Sequence, residues 1–162
     1  MASPIQVGSM TFTQPNDTQL VATRTIGAPR ALVWAAHTEC GHVQKWLLGP
    51  EGWKMPVCEI DLRPGGKWRY AYEGPDGAGF QMSGEYREIQ APERLVNTER
   101  MDDSPGEALD TMTLTEEGGH TVVVTVVEYP SQEIRDQIIA TGMMDGWAES
   151  YDRLEEYLRS MK

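Results

Sequence analysis

Trp68, Tyr70 and Tyr72 alternate with Arg69, Ala71 and Glu73 in the stretch "GGKWRYAYEGPDG" (65–77). Period two is the signature of a strand with two unlike faces. Aliphatic side chains would fill a sealed core as well. Rings with polar tips suit a face that meets a partly wet space, such as a ligand cavity. On the same alternation, Phe80 and Met82 join them from one neighbouring strand, and Met112 and Leu114 from another. Trp46, Met143 and Trp147 would approach from helices. These residues form the candidate ligand-binding set. The competing reading is that they are simply core, which aromatics and methionine fill routinely. Nine Met and five Trp tilt the balance toward a permissive cavity, because methionine suits surfaces that must accept variable shapes.

Acid–base chemistry would need an inward carboxylate beside Tyr70 or Tyr72, and Glu85 and Glu73 are the sequence candidates. The ordinary exposure of Glu favours a solvated outer position for both. His37, His42 and His120 are the only histidines, and none has the spacing of a ligand pair. No GxSxG, HExxH, GxxxxGK[ST] or dinucleotide fingerprint occurs. No residue is therefore assigned a catalytic role, and no metal or cofactor is expected. Cys40 and Cys58 are the only cysteines. Without CxxC spacing they read as two reduced, packed thiols, with Cys58 inert in mid-strand.

The charge of −11 opposes binding to nucleic acid or to anionic membranes. With 162 residues, 40% of them hydrophobic, the chain can build one domain with a real core. The first residues lack the basic and apolar regions of a signal peptide, and no apolar stretch could span a membrane, so a cytoplasmic protein is expected. A homodimer is left open.

What positions the aromatic face is readable from pattern. Residues 1–19 read as a loose arm with one short strand around Met10–Thr13, followed by a single domain over 20–160. "QLVATRTIG" has strand composition. "APRALVWAAHT" has helical spacing with Pro29 in its first turn, and "GHVQKWLLGP" reads as a second short helix stopped by Gly49-Pro50. Strands follow at 55–63, 67–73, 80–89, 93–101, 107–117 and 120–129, with Gly or Pro in every connector, including "DDSPG" at 102–106. Connectors this short imply an antiparallel meander. Ser131 is the expected N-cap of a terminal helical region, with Ile134 and Ile138 on one face. A break is expected near Gly142, then a long helix to about Arg159 whose stripe is Trp147, Tyr151, Leu154 and Leu158.

"TRTIGAPRALVWAAHT", "HVQKWLLGP", "IDLRPGGKWRYAYEGPDG", "GEYREIQAPERLVNTE" and "YPSQEIRDQIIATGMMDGWAESYDRLEEYL" occur in that order. Together they resemble a bacterial member of the SRPBCC (START/Bet v 1-like) superfamily, and more narrowly the domain named after the activator of Hsp90 ATPase. "ECGH" (Glu39–His42) departs from the usual "DPEH", and Gly27 stands where an acidic residue is common. The resemblance implies an α+β helix-grip fold: a curved antiparallel sheet around a long C-terminal helix, with two short helices after the first strand and an internal cavity. It implies no catalytic residue.

The expected function is binding of a small hydrophobic molecule in that cavity, without assigned catalysis. The alternatives are an enzyme resembling polyketide cyclases and dehydratases, using a Tyr and a carboxylate, and an interaction module resembling an Hsp90 cochaperone. An inward ionisable residue beside a Tyr would favour the enzyme. A purely apolar lining would favour a carrier, and an exposed apolar patch the interaction module.

Overall fold

The computed structural model describes residues 3–102 and 106–161. The chain opens with β1 (Ile5–Val7), β2 (Met10–Thr13) and β3 (Gln19–Ile26), then α1 (Arg30–Thr38) and α2 (Cys40–Trp46). β4 (Lys54–Ile60), β5 (Lys67–Glu73), β6 (Gly79–Gln90), β7 (Arg94–Met101), β8 (Ala108–Glu117) and β9 (His120–Glu128) form the meander. α3 (Gln132–Ile139) and α4 (Met143–Arg159) close the chain. The nine strands make one sheet in the order β1-β2-β3-β9-β8-β7-β6-β5-β4, antiparallel throughout. This is the expected helix-grip architecture. The connector expected at 102–106 falls mostly on 103–105, outside the described residues, as do the first two residues of the expected arm.

One element differs from its reading. Residues 5–13 are not a loose arm but a hairpin added to the edge of β3, with Thr11 opposite Thr23. Met10 and Phe12 alternate inward and are fully buried. The short strand expected around Met10–Thr13 is β2; its partner β1 and its pairing onto β3 are what the arm reading lacked. At the opposite edge, β4 tolerates Pro56 because an edge strand can lack a ladder donor there.

The helices are held by specific end contacts. Pro29 sits at the N-cap of α1, one position before the helical turn expected for it, and Glu116 Oε1 accepts from Arg30 N at 2.6 Å. α2 ends at Trp46, and Arg153 of α4 reaches its end and the loop beyond: Nη1 donates to Trp46 O at 3.0 Å and Nη2 to Gly49 O at 3.1 Å. A cation at a helix C-terminus also opposes the negative end of the dipole. Ser131 caps α3 by accepting from Ile134 N at 3.2 Å. Gly142 adopts φ +88°, which only glycine enters freely, and so separates α3 from α4 at the expected place.

α4 lies on the inner face of the sheet. Its stripe buries Tyr151, Leu154 and Leu158 as expected, with Trp147 packed against Phe12 at 5.7 Å. Arg24 ties β3 to this helix: Nη1 meets Asp152 Oδ1 at 2.6 Å and Nη2 meets Glu155 Oε1 at 3.2 Å. Glu155 also accepts from Gly27 N at 2.8 Å.

The cysteine reading is corrected. Cys40, at the start of α2, is disulfide-bonded to Cys58 of β4, with Cα atoms 5.7 Å apart. The spacing of 18 carries no motif. The two meet only because α2 packs on β4. Closing a loop of this size contributes roughly 3 kcal/mol by restricting the unfolded chain. Full reduction should lower the unfolding free energy by about that amount. Thiol counting on denatured, unreduced protein should find none free, and two free thiols would contradict the bridge.

Candidate functional site

Along β7, Leu95, Asn97, Glu99 and Met101 share one face; along β8, Ala108, Asp110, Met112 and Leu114 do. Register places Asn97 opposite Asp110 and Glu99 opposite Ala108. Glu99 and Asp110 are therefore diagonal neighbours on the inner face, within reach of each other. On β5 and β6, Tyr70 opposes Met82 and Tyr72 opposes Phe80 on the same face. Tyr129 follows β9. The inner face thus gathers two carboxyl groups among tyrosines under a helical cover.

The electrostatics follow from that enclosure. Asp110 is held well above the ordinary aspartate range, first by burial, then by the charge of Glu99 and a hydrogen bond with it, while Asn97 acts in the opposite direction. Its Oδ1 is closed off from solvent with no donor directed at it. Asp110 therefore keeps its proton to a higher pH than an exposed aspartate and can donate to Glu99. The hydroxyls of Tyr70, Tyr72 and Tyr129 are all pushed up, each mainly by burial, with Glu99 adding repulsion to each. Tyr86 shifts the same way through burial. All four are hydrogen-bond donors at physiological pH.

Beside this cluster lies a void of about 20 Å³, lined by Glu99, Met101, Gly106, Ala108, Tyr129, Pro130, Ile134 and Ile138. That is room for about one water molecule. A larger hollow of about 490 Å³ lies on the outer face, lined by charged residues such as Lys67, Arg69, Glu85 and Arg100, and also by the candidate Trp68 beside Gly84 and Thr98. It is polar, and its charges are largely matched: Arg69 to Glu59 at 2.9 Å and Arg87 to Glu85 at 3.4 Å.

The sequence candidates fall into two groups, and none lines the inner void. Trp68, Tyr70 and Tyr72 are 5, 9 and 9% exposed. Trp68 packs on Tyr70 at 4.7 Å, and its Nε1 donates to Thr98 O at 3.2 Å. That reach crosses β6 at Gly84, where a Cβ would collide with Thr98 and the Trp68 ring. Tyr72 stacks on Phe80 at 4.8 Å, and Met82 is partly buried opposite Tyr70. Met112 and Leu114 are buried in the centre of the sheet. Trp46 is fully buried at the other end, 4.9 Å from the His37 ring and 5.4 Å from Tyr151, and Trp147 lies 6.5 Å from Tyr151. Met143, in the first turn of α4, is partly buried.

Glu73 and Glu85 take the solvated outer positions that the ordinary exposure of Glu favours. Glu73 faces outward and pairs with Lys54 at 3.4 Å, and Glu85 pairs with Arg87. The inward carboxyls are Glu99 and Asp110. A signal for them existed: Asp110 stands on the same alternation as Met112 and Leu114. His37 is structural, with Nδ1 2.8 Å from Val33 O and Nε2 2.9 Å from the Tyr151 hydroxyl. Burial lowers its pKa to about 4, so the ring is neutral in the folded protein. Among the described residues, no three of His, Cys, Asp or Glu come together as a metal site, and no helix is long and apolar enough to cross a membrane.

The buried acid makes a sign prediction. A folded-state pKa above the unfolded value of about 3.9 means that the native state binds more protons in between, so stability falls as pH rises through that window. Asp110→Asn should be more stable than the parent near neutrality, and the two should converge as pH falls toward about 4. Urea unfolding across pH measures this. A variant less stable than the parent at neutral pH would contradict the buried-acid assignment.

An open antiparallel sheet wrapped on a long C-terminal helix, with the polar cluster inside, defines the helix-grip class. The model of the Activator of Hsp90 ATPase homolog 1-like protein family matches residues 27–159. The chain belongs to that family. A solved protein from Rhodobacter sphaeroides is 29% identical, with a TM-score of 0.89 over 94% of this chain and 99% of that one. One from Chromobacterium violaceum is 27% identical, with a TM-score of 0.78 over 88% and 97%. One from Nitrosomonas europaea is 25% identical, with a TM-score of 0.82 over 91% and 98%. No curated protein matches.

Proposed function

We propose that the domain binds one small, mostly apolar molecule between the sheet and α3, with its polar end at the Glu99–Asp110 pair. The observation that carries this is the pair itself, half-buried on the inner face among tyrosines, with Asp110 Oδ1 shut off from solvent and Glu99 lining a void. Shielding a carboxyl oxygen from solvent without a donor is unfavourable for folding and is offset where a ligand supplies that donor. Ile134 and Ile138 of α3 line the void. Entry requires α3 to move, and its connections suit that: a capped start at Ser131 and a glycine hinge at Gly142.

The candidates Tyr70 and Tyr72 enter this reading through Glu99, and Phe80, Met82 and Trp68 support them from behind. Trp46, Met112, Leu114, Met143 and Trp147 serve as the wall of the same interior. A second reading draws on the same cluster: a carboxyl that keeps its proton beside tyrosines is equipped for general acid–base work, as in a cyclase or dehydratase. An interaction module finds less support, since the exposed large apolar side chains Ile5, Leu62, Leu109 and Met161 are far apart in sequence and on different elements. The disulfide and a cytoplasmic location pull in opposite directions, because such bridges persist in oxidising compartments.

A neutral, environment-sensitive dye such as Nile red tests the binding reading. Native protein should bind it saturably with one site per chain. Tyr70→Leu should weaken that binding several-fold at a stability cost of about 1–3 kcal/mol, which leaves the fold intact. Linear, unsaturable uptake by the native protein would contradict the reading.

A further inference from the structure

The charges around the interior cluster are one-sided. Glu99 faces it from β7 and Asp110 from β8; Tyr70 and Tyr72 face it from β5, Tyr86 from β6 and Tyr129 from beyond β9. Among the described residues, the cation shown within electrostatic reach is Arg135 of α3, through Tyr129. Its nitrogens are already committed. Nη1 donates to Asn16 O at 2.6 Å and to Gln19 O at 3.4 Å. Nε and Nη2 meet Asp136 Oδ1 at 3.1 and 3.0 Å. An anionic head group entering here would meet two carboxyl groups and no available cation. One acceptor in the cluster is unmet: Asp110 Oδ1 is shut off from solvent and receives no hydrogen bond.

Resting on the interior-binding reading, we infer that the ligand's polar end is a primary amine, which places its N–H groups between Asp110 and Glu99 while its apolar tail runs under Ile134 and Ile138. An ammonium supplies three donors, one of them for the unmet Asp110 Oδ1, and paired opposite charges shielded from solvent attract more strongly than in water. A hydroxyl head would supply one donor and no charge. A carboxylate head, as on a fatty acid, would be repelled.

The proton balance is explicit. An alkylammonium enters with its charge, the Asp110 O–H bond breaks, and that proton passes to the buffer. The complex then holds one ammonium between two carboxylates. Binding coupled to proton release strengthens as pH rises, until the amine itself deprotonates near pH ~10. Burial and the neighbouring Glu99, which raise the pKa of Asp110, are what leave it a proton to release.

The experiment is calorimetric titration of the full chain with decylamine, decanol and decanoate below their micelle concentrations. It is run in two buffers of different ionisation enthalpy, at several pH values. Decylamine should bind at one site with net proton release and at least tenfold more tightly than decanoate, and its affinity should rise with pH. Asp110→Asn should weaken decylamine at least tenfold and remove the proton release. Glu85→Gln, on the outer face, should change neither. Amine affinity that survives Asp110→Asn would reveal only surface attraction to a chain of charge −11, and would overturn the assignment. So would decanoate binding as tightly as decylamine. If decanoate also displaces Nile red from a single site, the amine assignment fails while interior binding stands. If Nile red itself never saturates, both fail.

Discussion

Leu154→Asp should remove most of the folding free energy. Leu154 is fully buried in the middle of α4, on the stripe that seats the helix against the sheet. An aspartate there must either carry a charge away from water or take up a proton at a thermodynamic cost. Arg24, the buried cation nearest in the fold, already holds Asp152 and Glu155. The expected loss exceeds about 4 kcal/mol, against a total of about 5–15 for a domain. Leu154→Met keeps the volume and should cost less than about 1.5 kcal/mol. Urea unfolding of both variants separates lost packing from buried charge. An unchanged melting temperature for Leu154→Asp would remove α4 from the core.

Trp46→Ala should cost about 3–5 kcal/mol, the range for deleting a buried aromatic. The indole fills the junction of α1, α2 and α4, in contact with the rings of His37 and Tyr151. Its Nε1 donates to Ala36 O at 2.9 Å, so truncation also takes away a buried hydrogen bond. Trp46→Phe keeps most of the packing and should lose about 1–3 kcal/mol. Thermal and chemical denaturation give both numbers. A Trp46→Ala cost under about 1 kcal/mol would mean that the side chain borders empty space rather than close-packed neighbours.

Most of the architecture was legible because its signals are local. Alternation marked the strands, Ser131 and Gly142 marked helix boundaries, and short Gly- and Pro-bearing connectors implied antiparallel order. What escaped depends on contacts distant in sequence. Cys40 meets Cys58 only after α2 folds onto β4. Met10 and Phe12 are buried only because β3 offers an edge for β2 to pair with. Tyr70 and Tyr72 were recognisable as an inward face, but their carboxyl partners were sought on β5 and β6. Those strands supply Glu73 and Glu85, which alternation sends outward. Glu99 and Asp110 sit on strands whose inner faces read as Leu, Met and Ala, where a single acidic residue is easily passed over. Residual space is a property of packing, and no pattern of residue types foretells that the void beside Glu99 measures about 20 Å³.

The central claim is that a small molecule occupies the interior beneath α3, at Glu99 and Asp110. Backbone and methyl NMR shifts, followed while the native chain is titrated with Nile red, test it most directly. Saturating changes should concentrate at Glu99, Met101, Ala108, Asp110, Tyr129, Ile134 and Ile138, with Gly142 reporting movement of α3. Changes confined to the outer hollow at Lys67, Arg69, Ser83 and Arg100, or no saturating change anywhere, would contradict it.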